Sequence, residues 1–252
     1  MRLDGGCMIN IGHRIIAVPE RMSYVQELKK DIGTDIKVML DEAHNGCMWN
    51  AIRAWEDFRS EPSATHWCVM ADDTDVVNNY LQLERMCIER FPDAIWTFYS
   101  NELQVSHRPK LTPYINLSSL NVRGIAFAMP VRYIDGYIEL CKRMLAEYKY
   151  QRDDATCRIY ALFNNIPVMT TIPNLVRSHE IKSSMSGHGI THNSSAWQGK
   201  DIDVRQFMTS EYETRHVLKK SAMETHLHED NPVHILVKQK WNRLQLLRRM
   251  SV

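Results

Sequence analysis

Apolar residues recur along the first hundred positions with two different periods, one typical of strands and one typical of helices. Short runs rich in β-branched residues predict strands at 13–18, 35–40, 66–70 and 94–99. Apolar residues three or four positions apart predict the intervening helices, at 22–32, 47–58 and 80–91. This alternation predicts an α/β fold, in which a mainly parallel sheet is covered by helices on both faces.

The second half of the chain is less regular. Its pattern predicts a loop at 101–122, a strand at 124–129, helices at 131–148 and 158–163, and a strand at 166–172. From about 178 to 203 the composition shifts to Ser, Gly, His and Asn, which indicates a long loop, and a helical tail is expected at 204–252. No repeat or linker divides the chain, so we predict a single domain over 1–252.

Composition and charge exclude some classes of protein and leave the substrate open. The 252 residues are 44% hydrophobic, and 31 Lys and Arg face 30 Asp and Glu, so no global charge selects nucleic acid or a membrane. The first residues lack the pattern of a signal peptide and no apolar run is long enough to span a bilayer, which predicts a cytoplasmic protein with no membrane partner. The cysteines show neither C-x-x-C nor zinc-site spacing, and we expect reduced thiols in the core: Cys7, Cys47, Cys68, Cys87, Cys141 and Cys157.

Three aspartates follow the predicted strand at 66–70 directly: Asp72, Asp73 and Asp75. Carboxylates this close repel one another unless a cation neutralises them, and hard oxygen ligands suit Mg²⁺ or Mn²⁺. Ligands of α/β sheets gather at the carboxyl ends of the strands, where this cluster lies. The plain alternative is a solvated turn in which Asp75 caps the next helix.

The segment from His66 to Val77 resembles the hydrophobic strand and D-x-D motif of GT-A glycosyltransferases. Two further segments follow in the order of that family. Arg152-Asp153-Asp154-Ala155-Thr156 opens a helix, and Asn165 to Val176 resembles the strand that ends in Pro-x-Leu-Val, with His179 and Ser183-Ser184 after it. The resemblance spans about 14–184. It implies a GT-A, Rossmann-like fold and transfer of a sugar from a nucleotide-sugar donor.

The same resemblance implies roles for the acidic residues. Asp73 and Asp75 match the metal-binding D-x-D, although Asp72-Asp73 is equally read as its double-Asp form, and His179 completes the Mn²⁺ or Mg²⁺ site. Asp153 and Asp154 match the acidic pair that supplies the base in inverting members, with Asp154 preferred. The alternative for that pair is a helix N-cap.

On the donor side, the resemblance places Pro19 and Arg21 around the base, ribose and diphosphate; Arg21 is equally read as a surface residue of the first helical turn. Asp41 would accept hydrogen bonds from the base or ribose, and Asn50, four residues after Gly46, would make a polar contact. Residues 13–100 then form the nucleotide-sugar half. Residues 101–203 form the acceptor half, in which Gly124 lines the cleft and 183–199 forms a lid; Trp197 is equally read as a buried anchor.

The acceptor is the least specified partner. Enzymes of this type modify glycans, small molecules, proteins or, in some viruses, hydroxylated DNA bases, and the basic tail adds the DNA base to the acceptors to test. Two competing hypotheses remain. One is a metal-dependent nucleotidyl- or phosphotransferase, against which stands the absence of a P-loop motif from the sequence. The other is a non-catalytic nucleic-acid-binding module. The sequence indicates no oligomeric state.

Overall fold

The structure, a computed structural model, describes residues 8–99, 114–117, 122, 124–179, 197, 199–202 and 212–214. The strands are β1 (Ile11–Ala17), β2 (Lys37–Leu40), β3 (His66–Ala71), β4 (Thr74–Val76), β5 (Ile95–Thr97), β6 (Tyr114–Leu117), β7 (Ala126–Pro130), β8 (Val168–Ile172), β9 (Val176–Ser178) and β10 (Tyr212–Thr214). The α-helices are α1 (Met22–Ile32), α2 (Cys47–Glu56), α3 (Tyr80–Arg90), α4 (Ile134–Tyr148) and α5 (Asp153–Asn164). Short 3₁₀ turns occupy Pro19–Arg21, Asp57–Ser60 and Val131–Tyr133.

The central sheet has eight strands in the order β10-β6-β8-β5-β7-β3-β1-β2, and β4 and β9 form a separate antiparallel pair. Strands β1, β2, β3, β5 and β8 run in one direction, and β6, β7 and β10 run in the other. The prediction of a mainly parallel α/β sheet is therefore confirmed. The antiparallel β7 lies between β3 and β5, and this placement follows from pairing across the sheet rather than from any local pattern.

Apolar side chains cover both faces of this sheet. Ile15 and Cys68 point into one core, with α1 and α3, whereas their neighbours Ile16 and Val69 point into the other, with α2, α4 and α5. Successive side chains of a strand face opposite ways, so these continuous apolar runs are those of strands buried on both sides. The predicted burial of the thiols is confirmed for Cys68, Cys87, Cys141 and Cys157, which are free and buried.

The boundaries differ from the predictions at a few places. Helix α1 spans the predicted residues, and the helix predicted at 158–163 is the second half of α5. Strand β6 lies inside the predicted loop at 101–122 because β8 and β10 supply its hydrogen-bonding partners. In the predicted helical tail, 212–214 form β10, and the other residues of 204–252 lie outside the described residues. No helix among the described residues combines the length and apolarity needed to cross a bilayer.

Candidate active site

The candidate site is built at the carboxyl ends of β1 and β3. Beyond β3 the Asp72 carboxylate accepts hydrogen bonds from the Val18 backbone N–H at 3.1 Å and from Arg21 Nη1 at 2.9 Å. Pro19 opens the 3₁₀ turn that brings Arg21 to this point, because its fixed φ suits the first position of such a turn. The side chains of Asp72 and Arg21 are both buried. Burial raises the pKa of the Asp72 carboxyl, although the Arg21 guanidinium opposes the rise.

Asp73 is joined to the segment that follows β8. Ser178 Oγ donates to Asp73 Oδ2 at 2.7 Å, and the His179 backbone N–H donates to the Asp73 carbonyl oxygen at 2.8 Å. These contacts arise because β4 pairs with β9, with Thr74 opposite Ser178. Arg21 Nη1 lies 3.9 Å from Asp73 Oδ2, and the His179 ring packs on Tyr24. The structure thus brings together Asp73, His179 and Arg21.

Asp75 has a different environment. Its two carboxylate oxygens lie 2.8 Å from Arg177 Nε and 3.0 Å from Lys200 Nζ. Burial alone would raise the pKa of Asp75, but the hydrogen bonds from Lys200 and Arg177 outweigh it and hold the pKa below its usual range. Helix α3 begins after Asn79, so Asp75 is not its cap. The structure places Asp75 against two cations, whereas Asp73 lies beside His179.

The second acidic pair begins α5. Asp153 Oδ1 accepts a long hydrogen bond from Cys47 Sγ at 3.9 Å, and Oδ2 is buried with no hydrogen-bond partner among the described residues. Burial and the neighbouring Asp154 charge raise the pKa of Asp153 to about 7. Asp154 Oδ1 accepts from the Ala155 N–H at 2.7 Å. The N-cap position of this helix belongs to Arg152, so neither aspartate serves as the cap.

The two acidic pairs converge on the first residue of α2. Besides burial, the charges of Asp153, Asp154, Asp72 and Asp73 all raise the pKa of the Cys47 thiol. This shared effect brings the end of β3 and the start of α5 into one electrostatic environment.

Two glycines lie close to that point. Gly46 has a φ of 112°, and a Cβ there would lie 2.6 Å from Gln151 Oε1, so a side chain at this position would interfere. A Cβ on Gly124 would lie 3.4 Å from Asp153 Oδ1, an ordinary contact distance, so Gly124 borders the acidic pair directly. The backbone segments before α2 and β7 therefore both lie against the start of α5.

The two remaining residues predicted on the donor side shape the scaffold of the site. Asp41 accepts from the N–H groups of Asn45 and Gly46 at 3.0 and 2.9 Å. Burial would raise the pKa of Asp41, but these bonds outweigh it and lower the pKa. Asn50 Nδ2 donates to the carbonyls of Met39 at 2.7 Å and Ala17 at 3.3 Å, which ties α2 to β2 and β1. Donor contacts by Asp41 and Asn50 stay predictions.

Most of the predicted lid and all but three residues of the predicted tail lie outside the described residues. Of 183–199, the structure describes Trp197 and Gly199. Trp197 packs against the core on the α1 and α3 face, with the Arg177 guanidinium carbon 5.2 Å from its ring centroid. Of the two interpretations of Trp197, these contacts favour the anchor.

Three residues of the site were not singled out from the sequence: Cys47, Gln151 and Ser178. Gln151 Oε1 is a second buried oxygen with no hydrogen-bond partner among the described residues. The available signal was proximity in sequence, because Ser178 precedes His179, Gln151 precedes the acidic pair by two positions, and Cys47 follows Gly46. Proximity alone does not distinguish these residues from ordinary neighbours.

Known proteins resemble this chain only weakly. No family of known proteins matches it, and no curated protein matches it in sequence. Among solved structures, A197 from STIV is 9% identical, with a TM-score of 0.40 over 68% of this chain and 86% of that one. A glycosyltransferase involved in the glycosylation of the major capsid of PBCV-1 is 13% identical, with a TM-score of 0.29 over 56% and 76%. The inositol-1-phosphate CTP transferase from T. maritima is 7% identical, with a TM-score of 0.30 over 62% and 65%. Because these similarities are so low, the function has to be inferred from the side chains.

Proposed function

We propose that this chain is a metal-dependent glycosyltransferase that moves a sugar from a nucleoside-diphosphate sugar to an acceptor hydroxyl. The observation that supports the proposal is that two buried aspartate pairs, Asp72-Asp73 and Asp153-Asp154, lie at the carboxyl edge of the sheet. Gly124 borders the second pair, and the carbonyl of the next residue, Ile125, accepts from the N–H of Ala71, the residue before Asp72. Transfer of this kind needs one group of ligands for the cation of the donor diphosphate and one base for the acceptor. Asp72 and Asp73 would supply the ligands, and Asp153 or Asp154 would supply the base.

The donor set suits Mn²⁺ or Mg²⁺. Four carboxylates share one environment, and Arg21 is the cation that the structure places at Asp72 and Asp73, so the set has an excess of negative charge and hard oxygen atoms. In the double-Asp form of the motif Asp72, Asp73 and His179 would hold the cation, and this form is preferred because Asp75 lies against two cations, Arg177 and Lys200, whereas Asp72 faces one, Arg21. When bound, the cation stabilises the departing nucleoside diphosphate.

Asp153 fits the base better than Asp154. A carboxyl with a pKa of about 7 is ionised in part near neutral pH and still accepts a proton effectively. It would take the proton of the acceptor hydroxyl as that oxygen bonds to the anomeric carbon and the bond from this carbon to the diphosphate oxygen breaks. Asp154 contributes through its charge, which raises the pKa of Asp153. Gly124 lies against both residues, on the side where the resemblance places the acceptor cleft.

The test is release of nucleoside diphosphate from a panel of nucleotide sugars, with and without Mn²⁺. Glycans and DNA carrying hydroxylated bases serve as acceptors. We expect metal-dependent release from one donor, accelerated by one acceptor class, and loss of both in Asp73→Asn. The control is Asp93→Asn, which alters an exposed aspartate paired with Arg132.

Two outcomes would replace the proposal. Release of pyrophosphate from a nucleoside triphosphate, with no reaction of any nucleotide sugar, would indicate a nucleotidyltransferase. Tight binding of DNA with no metal-dependent binding of any nucleotide would indicate a nucleic-acid-binding module.

A further inference from the structure

A second cluster of polar side chains lies on the same two strands as the candidate active site, but away from their carboxyl ends. His13 on β1 and Cys68 on β3 are direct partners in the parallel register and point to the α3 face. Glu84 of α3 lies against them, with its carboxylate fully buried. Cys68 is four residues before Asp72, roughly 13 Å along the strand, so this cluster is separate from the active site.

Its polar atoms form one compact group. His13 Nε2 lies 2.7 Å from Glu84 Oε2, and a ring nitrogen of His13, a carboxylate oxygen of Glu84 and Cys68 Sγ are all within 4.8 Å of one another. Tyr80 Oη adds a fourth polar atom, 3.3 Å from Glu84 Oε1 and 3.8 Å from Cys68 Sγ. The group is embedded in the apolar core formed with α1 and α3.

An ion pair alone does not account for this composition. A protonated His13 is sufficient to neutralise Glu84, and Cys68 adds only a hydrogen bond to that carboxylate. An imidazole nitrogen, a sulfur and a carboxylate oxygen are, in contrast, the three ligand types that Zn²⁺ binds in proteins. Zinc ligands at tetrahedral angles lie roughly 3.3 Å apart. The hydrogen-bonded pair would therefore separate by about 0.6 Å.

We propose that His13, Cys68 and Glu84 form a structural Zn²⁺ site that fastens α3 to β1 and β3, with Tyr80 Oη or a water as the fourth ligand. Binding releases the protons held by His13 and the Cys68 thiol, so imidazole and thiolate face the ion with the Glu84 carboxylate. The ligands come from two strands and a helix that are distant in sequence, which explains why no zinc spacing is visible along the chain.

The test is titration of the metal-free full chain with Co²⁺, a substitute for Zn²⁺ whose thiolate charge-transfer absorption reports a bond to cysteine. We expect one equivalent to produce this absorption and excess Zn²⁺ to abolish it. Cys68→Ala should lack the absorption and bind Zn²⁺ at least about 100-fold more weakly. In a thermal unfolding series, Zn²⁺ should raise the midpoint of the native chain and not that of Cys68→Ala.

Two matched variants keep the result specific. Cys141→Ala removes a buried thiol from the opposite core and should retain the absorption. Cys47→Ala removes the thiol beside the aspartates of the active site and should retain it too. Absorption that persists in Cys68→Ala but disappears in Cys47→Ala would place the ion at the active site and overturn the proposal. Absence of both the absorption and a midpoint shift in the native chain would show that the cluster is a hydrogen-bonded network alone. Since no readout involves sugar transfer, failure of the proposed function leaves this test unaffected.

Discussion

The two Asp-Asp pairs at the carboxyl edge of the sheet have the same sequence and different chemistry. Asp72 and Asp73 are surrounded by donors, because Arg21, the Val18 N–H and Ser178 all point at their oxygens. Asp153 accepts a long hydrogen bond from the Cys47 thiol, and backbone N–H groups of Asp153 and Asp154 lower its pKa slightly, but its Oδ2 is buried with no hydrogen-bond partner among the described residues. The first pair, with a guanidinium and several donors around it, is therefore suited to bind a ligand at a fixed position. The second is suited to exchange a proton.

Their neighbours decide this difference. The backbone groups and the cation at Asp72 and Asp73 come from β1, from the turn after it and from β9. Asp153 lies beside Asp154, Gly124 and the thiol of Cys47, and the charge of Arg152 only partly offsets the burial and the Asp154 charge that raise its pKa. Two identical dipeptides thus acquire different surroundings from the segments packed against them.

The largest expected effect is on turnover. Asp153→Asn removes the proposed base and should lower kcat by about 10²- to 10⁴-fold, with metal-dependent donor binding retained, because the first pair is untouched. Steady-state kinetics and calorimetry with the nucleoside diphosphate measure the two effects separately. Asp135→Asn, an exposed aspartate paired with Arg59, is the control. A variant that retains full kcat would show that the second pair is not the base.

The next largest expected effect is on how the free energy of unfolding changes with pH. Because the pKa of Asp153 is about 7 in the folded chain and near 3.8 when unfolded, the native state holds a proton that the unfolded state lacks between these values. The free energy of unfolding should therefore fall by up to about 4 kcal/mol between pH 4 and 7 on this account. Urea unfolding of the native chain and of Asp153→Asn, compared across this range, isolates the effect. Equal profiles would mean that Asp153 has an ordinary pKa.

For Asp72 and Asp73, the corresponding test removes the guanidinium of Arg21. Arg21→Met leaves the Asp72 carboxylate buried without its guanidinium and should lower the free energy of unfolding by about 3 kcal/mol. The double variant with Asp72→Asn should recover most of this loss, because the uncompensated charge is gone. Arg132→Met, which breaks an exposed pair, should cost less than about 1 kcal/mol. If Arg21→Met costs no more than this control, the contrast between the two pairs is wrong.

The smallest effect concerns Asp75, which has two cations. Lys200→Met should lower the free energy of unfolding by less than about 1 kcal/mol, because the lysine is 41% exposed and Arg177 remains on the other oxygen. Chemical denaturation measures the change. Lys200 also pairs with Asp31, so Asp31→Asn is the control, and a loss in Lys200→Met well above that of Asp31→Asn would show that Lys200 is the main partner of Asp75.

The spacing of apolar residues was sufficient to predict most of the helices and strands, but not to predict which strands pair. Helix α1 was predicted to the residue and α2 and α3 to within two residues, whereas β4 and β9, of three residues each, are too short to show a period. Their pairing nevertheless brings Ser178 and His179 to Asp73. The candidate site was thus predicted where a motif lies on one element and missed where it depends on two, as with Cys47 and Gln151.

By itself, the amino-acid sequence determined the α/β class, the strands that are buried on both faces, and the position of acidic residues directly after a strand. These properties follow from the local spacing of apolar residues and from chain order. Only the tertiary structure decided which aspartate faces a guanidinium and which has a buried oxygen without a partner among the described residues, and that His13, Cys68 and Glu84 meet. Burial and charge act through space, so the chemistry of each carboxylate depends on residues far from it in sequence.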